Sequence, residues 1–234
     1  TRHDVTMITV HKLTLRWSNA WLLVSGTHAV LIDTGYPGET ERIRTLCRSR
    51  NVDPNRLTLI VHTHVHVDHF GCTAELAKAA GCPITFHPAD QHLADQKTPL
   101  KLTPATFSGR LLAPLFINKT FRNHPCDFPA LAGLRLDSFG IPATIHQTPG
   151  HTAGSISVVL DDGRAIIGDL LMGGYAGGWL WSHKPRLHYF AEDLPQILTS
   201  LDHLLAITSG PLFPGHGGPL QHSDVVRWRA NQGR

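Results

Sequence analysis

Alternating apolar and polar positions dominate the first third of the chain. Residues 5–10 alternate, and residues 13–17 alternate again, which is the spacing of half-buried strands. Two short apolar runs follow, residues 21–24 and 29–32, separated by the turn Ser25-Gly26-Thr27. The second run stops abruptly at Asp33-Thr34-Gly35. The period then changes, and residues 37–50 predict a helix with Ile43 and Leu46 on one face. Arg42, Arg44, Arg48 and Arg50 lie elsewhere on it. Glu39 and Glu41 are interleaved with them, so a solvated face is expected rather than a polyanion site. Residues 57–61 form an apolar, β-branched strand that runs straight into a histidine cluster. Residues 68–80 predict a helix with Asp68 as N-cap and Gly81 as stop. A strand over 83–87 and a helix over 89–96 complete this half.

Residues 97–130 are irregular, with Pro99, Pro104, Pro114, Pro125 and Pro129 among apolar patches. They read either as a lid over a site or as an ordinary connection. The strand pattern then returns at 134–138, 143–147, 155–160 and 165–167, with the turn Asp161-Asp162-Gly163 before the last. A helix over 192–206, a short strand at 212–213 and a helix over 223–231 close the chain. No linker divides the halves and no short repeat is present, so residues 1–234 are expected to form one domain. Two β-rich halves that each end in helices imply an α/β (α+β) fold, an αβ/βα sandwich of four layers with its helices outside.

Composition narrows the picture only in places. Hydrophobic residues make up 41% of the 234, enough for a sizeable core. A net charge of +3 is too mild to argue for nucleic acid. Cys47, Cys72, Cys82 and Cys126 form no C-x-x-C pair, so free thiols are expected and a cytoplasmic location with them. No apolar run approaches a membrane span, and Thr1-Arg2-His3-Asp4 shows no signal-peptide pattern. Histidine, with 17 copies, is the outlier, and it is a common metal ligand.

The densest histidine segment is His64-Val65-His66-Val67-Asp68-His69. In an extended loop alternate side chains point the same way, so His64, His66 and Asp68 project to one side and His69 elsewhere. One such loop can serve two adjacent metals, His64 and His66 holding one and Asp68 and His69 the other. Imidazole and carboxylate suit Zn(II), and also Fe(II) or Mn(II). A histidine-rich surface loop is the bland reading of the same residues. Three further features weigh against it. His151 in Thr148-Pro149-Gly150-His151-Thr152, Asp169 in Gly168-Asp169 and His216 in Pro214-Gly215-His216-Gly217 are each a ligand-type residue at a strand end beside glycine.

In this order the residues resemble the metallo-β-lactamase superfamily, whose signature is H-x-H-x-D-H followed by a lone His, a lone Asp and a final His. The resemblance runs from residue 19 to His216 and implies a metallo-β-lactamase-like fold. It implies that His64, His66 and His151 hold a first metal. Asp68, His69 and His216 would hold a second, and Asp169 would bridge the two. Asp33, in the family's Asp-Thr-Gly turn, would orient a ligand imidazole. Where the family usually has Gly-Gly, this chain has Gly71-Cys72; a packing role is expected for Cys72. Class B1 and B3 β-lactamases lack a carboxylate at the position of Asp169. The chain therefore resembles the glyoxalase II and lactonase branches.

That resemblance implies a hydrolase with two divalent metal ions, zinc first, with iron or manganese as alternatives. A metal-bridging hydroxide would attack the carbonyl of a thioester, lactone or other carboxylic ester, and Asp68 would orient it. Substrate residues are expected in 173–189, namely Tyr175, Trp181, His183, Lys184, Arg186 and Tyr189, with Lys184 and Arg186 as carboxylate binders. An ordinary hairpin with packing aromatics is the alternative there. The expected partner is a small molecule, with neither nucleic acid nor membrane, and the chain is expected as monomer or homodimer. Competing readings are a phosphodiesterase or nuclease of the same fold, a mono-iron persulfide dioxygenase, and a non-catalytic metal-binding sensor.

Overall fold

The computed structural model describes residues 7–96, 103–106, 109–111 and 120–232. Two sheets face each other. The first runs in the order β1 (Thr9–Thr14), β2 (Asn19–Ser25), β3 (His28–Ile32), β4 (Leu59–Val61), β5 (Ile84–Phe86), β6 (Phe128–Pro129). The second runs β12 (Leu212–Pro214), β9 (Ala165–Gly168), β8 (Ile156–Leu160), β7 (Ala143–Gln147). The short strands β10 (Met172–Tyr175) and β11 (Leu180–Arg186) form a separate hairpin.

Side chains of successive strand residues point to opposite faces, and here both faces are covered. In β2, Trp21 and Leu23 point between the sheets, where they join Val30, Ile32, Ile145, Val158 and Ile166. Trp21 meets Phe213 of the second sheet with ring centroids 4.8 Å apart. Leu22 points outward, with Leu31 and Ile60, onto the helices α1 (Thr40–Arg48) and α3 (Thr73–Ala80) through Ile43, Cys47 and Leu76. The outer face of the second sheet, with Ile167 and Leu212, packs on α5 (Leu194–Ile207) and α6 (His222–Ala230) through Ile197, Leu201, Leu204 and Val225. This is the expected αβ/βα sandwich. Among the described residues no helix is long and apolar enough to cross a membrane.

Several elements differ from the sequence pattern. The two alternating runs near the start merge into β1, which ends at Thr14; Arg16 and Trp17 leave the sheet. The helix expected over 68–80 is broken into α2 (Val67–Phe70) and α3. The break has a packing cause. The Gly71 N–H donates to the Gly35 carbonyl, and a Cβ at Gly71 would lie 2.3 Å from the Pro37 nitrogen. His66, not Asp68, is the N-cap of α2, which leaves the Asp68 side chain free. Residues 134–138 pair with β7 only through the bridge Arg135–Thr144 and then turn into a 3-10 turn at Asp137–Phe139. The helix expected over 89–96 is a 3-10 turn, Pro88–Asp90, followed by α4 (Gln91–Ala94). Of the expected lid, residues 97–102, 107–108 and 112–119 lie outside the described residues.

Candidate metal centre

The site is assembled at one end of the two sheets. Strands β3 and β4 are parallel, and so are β9 and β12. β7 is antiparallel to β8, and β8 to β9, so β7 runs with β9. Asp33 follows β3, the histidine cluster follows β4, His151 follows β7, Asp169 follows β9 and His216 follows β12. Each side chain therefore leaves the C-terminal end of a strand, and residues distant in sequence converge.

Asp169 lies at the centre. Its Oδ2 is 3.8 Å from His64 Nε2, 3.5 Å from His69 Nε2, 3.5 Å from His151 Nε2 and 3.3 Å from His216 Nε2. Asp68 Oδ2 lies 3.8 Å from His69 Nε2 and 3.5 Å from His216 Nε2. Four donor groups compact enough to hold an ion overlap here, two of them the triads His64-His66-His151 and Asp68-His69-His216. Gly215 makes room for them, since a Cβ there would fall 2.2 Å from Asp169 Oδ1 and 2.6 Å from His69 Cε1.

The unpaired atoms test whether metal fits. His64 Nε2, His69 Nε2, His216 Nε2 and Asp169 Oδ1 are buried without a hydrogen-bond partner. Buried polar atoms left so are costly, and four of them gathered here are able to take a cation as their partner. Surrounding groups fix which nitrogen faces inward. His69 Nδ1–H donates to Asp33 Oδ2 at 2.8 Å, which turns the Nε2 lone pair to the centre. Asp33, whose backbone φ is +63°, also accepts from the Thr63 N–H and hydroxyl at 2.8 and 2.7 Å. His151 Nδ1–H donates to the Phe190 carbonyl at 2.9 Å, and its Nε2 lies 3.0 Å from His66 Nδ1. Asp90 braces the loops, accepting from Val65 N–H, Thr152 hydroxyl and Gly154 N–H at 3.0, 2.9 and 2.8 Å.

Without metal the histidines divide into two groups. Burial holds His64 well below its ordinary pKa and lowers His66 and His151 to about 3. Burial also opposes charge on His69 and His216, but Asp169 and Asp68 outweigh it and raise both. Asp169 is held well below the carboxylate range: burial pushes it up, and His216, His188 and His69 more than offset that.

A family model described as the metallo-beta-lactamase superfamily matches residues 13–216. The chain belongs to that superfamily. Probable metallo-hydrolase YflN of Bacillus subtilis (strain 168) is 28% identical over 225 residues, covering 90% of this chain and 84% of that protein. The Mycobacterium tuberculosis (strain ATCC 25618 / H37Rv) protein Rv2581c is 34% identical over 135 residues, about half of each: 56% of this chain and 54% of that protein. Among solved structures, TTHA1623 in a di-iron-bound form superposes with a TM-score of 0.67 at 26% identity, covering 94% of this chain and 97% of that one. The superfamily binds divalent metals, and this member carries His and Asp groups able to hold one.

The metallo-β-lactamase residues expected as ligands are thus gathered at one point. Cys72 is not among them: it is buried in the core, its thiol facing the Tyr36 carbonyl at 3.1 Å. All four cysteines are free thiols. His62 lies behind the centre, between Asp33 and Thr73. The sequence reading of the ligand set passed over His188. It follows β11, is buried, sits edge-on to His151 at 4.7 Å and places Nε2 3.4 Å from Asp169 Oδ2. Distance alone admits it as a ligand beside His151 and Asp169. Its hydrogen bonding argues otherwise. The Phe190 N–H donates to His188 Nδ1 at 3.2 Å, and a backbone N–H always carries its proton. The Phe190 carbonyl, also 3.2 Å from that nitrogen, already accepts from His151. With the Phe190 N–H donating to Nδ1, the proton of neutral His188 would sit on Nε2, 3.4 Å from Asp169. Only its place inside the expected substrate stretch, 173–189, hinted at this in the sequence.

A cavity of about 740 Å³ opens onto the centre at His66, Asp68, Asp169, His188 and His216. Of the residues expected to bind substrate, only Tyr189 lines it. Tyr175, Trp181, His183, Lys184 and Arg186 do not. The two basic residues are turned onto aromatic rings instead, Lys184 over Trp181 at 5.4 Å and Arg186 over Tyr175 at 4.1 Å and Tyr189 at 5.2 Å. The cavity is met instead by Ala176, Gly177, Trp179 and Leu180 at the turn of the hairpin and by His188, Tyr189 and Phe190 beyond β11.

Proposed function

We propose that the chain is a dinuclear metal-dependent hydrolase acting on the carbonyl of a thioester, lactone or other carboxylic ester. The observation that carries this reading is the pair of donor triads with Asp169 within 3.8 Å of a nitrogen in each, and with unpaired buried nitrogens turned inward. His64, His66 and His151 would hold one ion, Asp68, His69 and His216 the other, with Asp169 between. Divalent ions bound there supply Lewis acidity and lower the pKa of water from ~15.7 toward about 7. The chain does the rest. Asp33 fixes the His69 imidazole, and the Phe190 carbonyl fixes His151. Asp68 faces the cavity and is positioned to orient the attacking water. Water adds to the carbonyl carbon, the C–S or C–O bond breaks, and the departing thiol or alcohol takes the proton.

Zinc is the proposed metal, since N and O donors without a redox task suit it. The di-iron form of TTHA1623 favours iron as the second reading. Metal analysis tests both: two equivalents of zinc support the proposal, and a single bound iron would overturn it. A panel of thioesters, lactones, β-lactams and phosphodiesters then tests the reaction, with metal-stripped and His66→Ala protein as controls. Metal-dependent turnover of esters alone is expected. Turnover confined to phosphodiesters, or none, would overturn the assignment.

A further inference from the structure

The wall of the cavity facing the metal centre is apolar. It is built by Trp17, Val67, Trp179, Leu180, Tyr189 and Phe190, with the small residues Ala176 and Gly177 between them. Several of these are left in solvent: Trp179 is 84% exposed, Leu180 55% and Trp17 45%. Large apolar side chains grouped at the mouth of a site mark a ligand surface, because their exposure costs free energy until something covers them. The hairpin that carries Trp179 and Leu180 is anchored. The Gly173 N–H donates to the His216 carbonyl, and the Gly218 N–H to the Ser182 carbonyl, each at 2.8 Å. The wall is thereby tied to a ligand-bearing loop, and what it binds is held against the reacting carbonyl.

One cation lines this wall. The Arg16 guanidinium lies 5.4 Å over the Trp17 ring, and no carboxylate pairs with it among the described residues. Its backbone N–H is taken by Glu39, but its side chain is left to the cavity. Lys184 and Arg186, by contrast, do not line it and lie over the rings of Trp181, Tyr175 and Tyr189.

Resting on the hydrolase reading, we infer that the substrate is a thioester or ester of an apolar acid whose leaving portion carries an anionic group, carboxylate or phosphate. The acyl chain lies on Trp17, Trp179 and Leu180, and Arg16 receives the anion. Hydrolysis delivers the hydroxyl of water to the acyl carbon, breaks the C–S or C–O bond, and releases the apolar acid and an anionic thiol or alcohol.

Acyl thioesters of increasing chain length test this, from acetyl to octanoyl. They are made on three thiols: neutral N-acetylcysteamine, 3-mercaptopropionate and phosphopantetheine. Specificity, kcat/KM, is expected to rise by up to roughly fourfold per methylene until the cavity is filled. Trp179→Ala with Leu180→Ser should flatten that rise; both side chains are exposed, so folding is spared. Arg16→Gln should raise KM at least tenfold more for the anionic thiols than for the neutral one. The better of the two anionic thiols separates carboxylate from phosphate. Binding of non-hydrolysable S-alkyl mercaptopropionates, followed by tryptophan fluorescence, needs no turnover. Octyl tighter than ethyl by at least tenfold supports the inference even where the hydrolase reading fails. Affinity independent of chain length would overturn it even where esters are hydrolysed, and an Arg16→Gln protein indifferent to charge would remove the anion from it.

Discussion

His188 shows how a backbone contact can decide the role of a side chain. By distance it is equivalent to His151, since both place Nε2 within 3.5 Å of Asp169 Oδ2. They differ in what meets Nδ1: the Phe190 carbonyl at 2.9 Å at His151, and at His188 the Phe190 N–H together with that carbonyl, both at 3.2 Å. The first leaves a lone pair for metal; the second, with the N–H donating, leaves a proton for Asp169. His188→Ala is therefore expected to retain the metal content of the wild type. Its kcat should fall by about 10- to 100-fold, the size of effect seen when the support of a ligand is removed. KM should hold, and His188→Gln, which restores an N–H donor, should recover part of the loss. Elemental analysis beside steady-state kinetics reads both. Loss of one metal equivalent in His188→Ala would make it a ligand.

The elements hold those side chains in place, and they explain which features were legible in the sequence. The ligand positions were, because each follows a strand and sits beside glycine, a local pattern that needs no knowledge of packing. The helix over 68–80 was misread for the opposite reason. Its periodicity is continuous, and what breaks it is the close approach of the loop at Tyr36 and Pro37, a contact no local pattern encodes. Substrate residues were placed in the right stretch but mostly along its strand, whereas the cavity is met at the hairpin's turn by Trp179 and Leu180 and beyond β11 by Tyr189, a placement set by packing. Asp90 was invisible for a similar reason. It stands in a 3-10 turn with nothing local to mark it, yet it joins the loop of His64 and His66 to that of His151. Replacing it by Ala strands the Val65 and Gly154 N–H groups in the interior. At ~1–3 kcal/mol for each buried donor left unpaired, Asp90→Ala should cost roughly 3 kcal/mol. Urea unfolding of the metal-free protein measures it. A loss under 1 kcal/mol would mean that water replaces the carboxylate.

Taken across the molecule, the centre makes stability depend on pH with opposite signs on two sides. His66, His151 and His188 each titrate near 6.5 when unfolded and are lowered to about 3 by burial in the metal-free fold. Between those values the unfolded chain binds the extra protons, so stability falls as pH drops below about 6.5. Asp33 and Asp169, both lowered, add to the loss once pH falls into the carboxylate range. His69 and His216 are raised, by Asp169 and Asp68 acting against burial, so the folded state binds their protons more tightly. The stability they contribute is complete below about 6.5 and is lost as pH rises through their folded values. The chelator-treated protein should therefore be most stable near pH 6.5, with its melting temperature falling on either side. Metal reverses the alkaline limb. Ligand imidazoles must be neutral to bind it, so the protons on His69 and His216 leave as it enters, and its affinity rises with pH. The loaded protein should then gain stability over the metal-free one as pH increases from 6 to 8. Melting curves with and without zinc at matched pH measure that gap, and a gap that stays constant would show that His69 and His216 hold no proton where the metal binds.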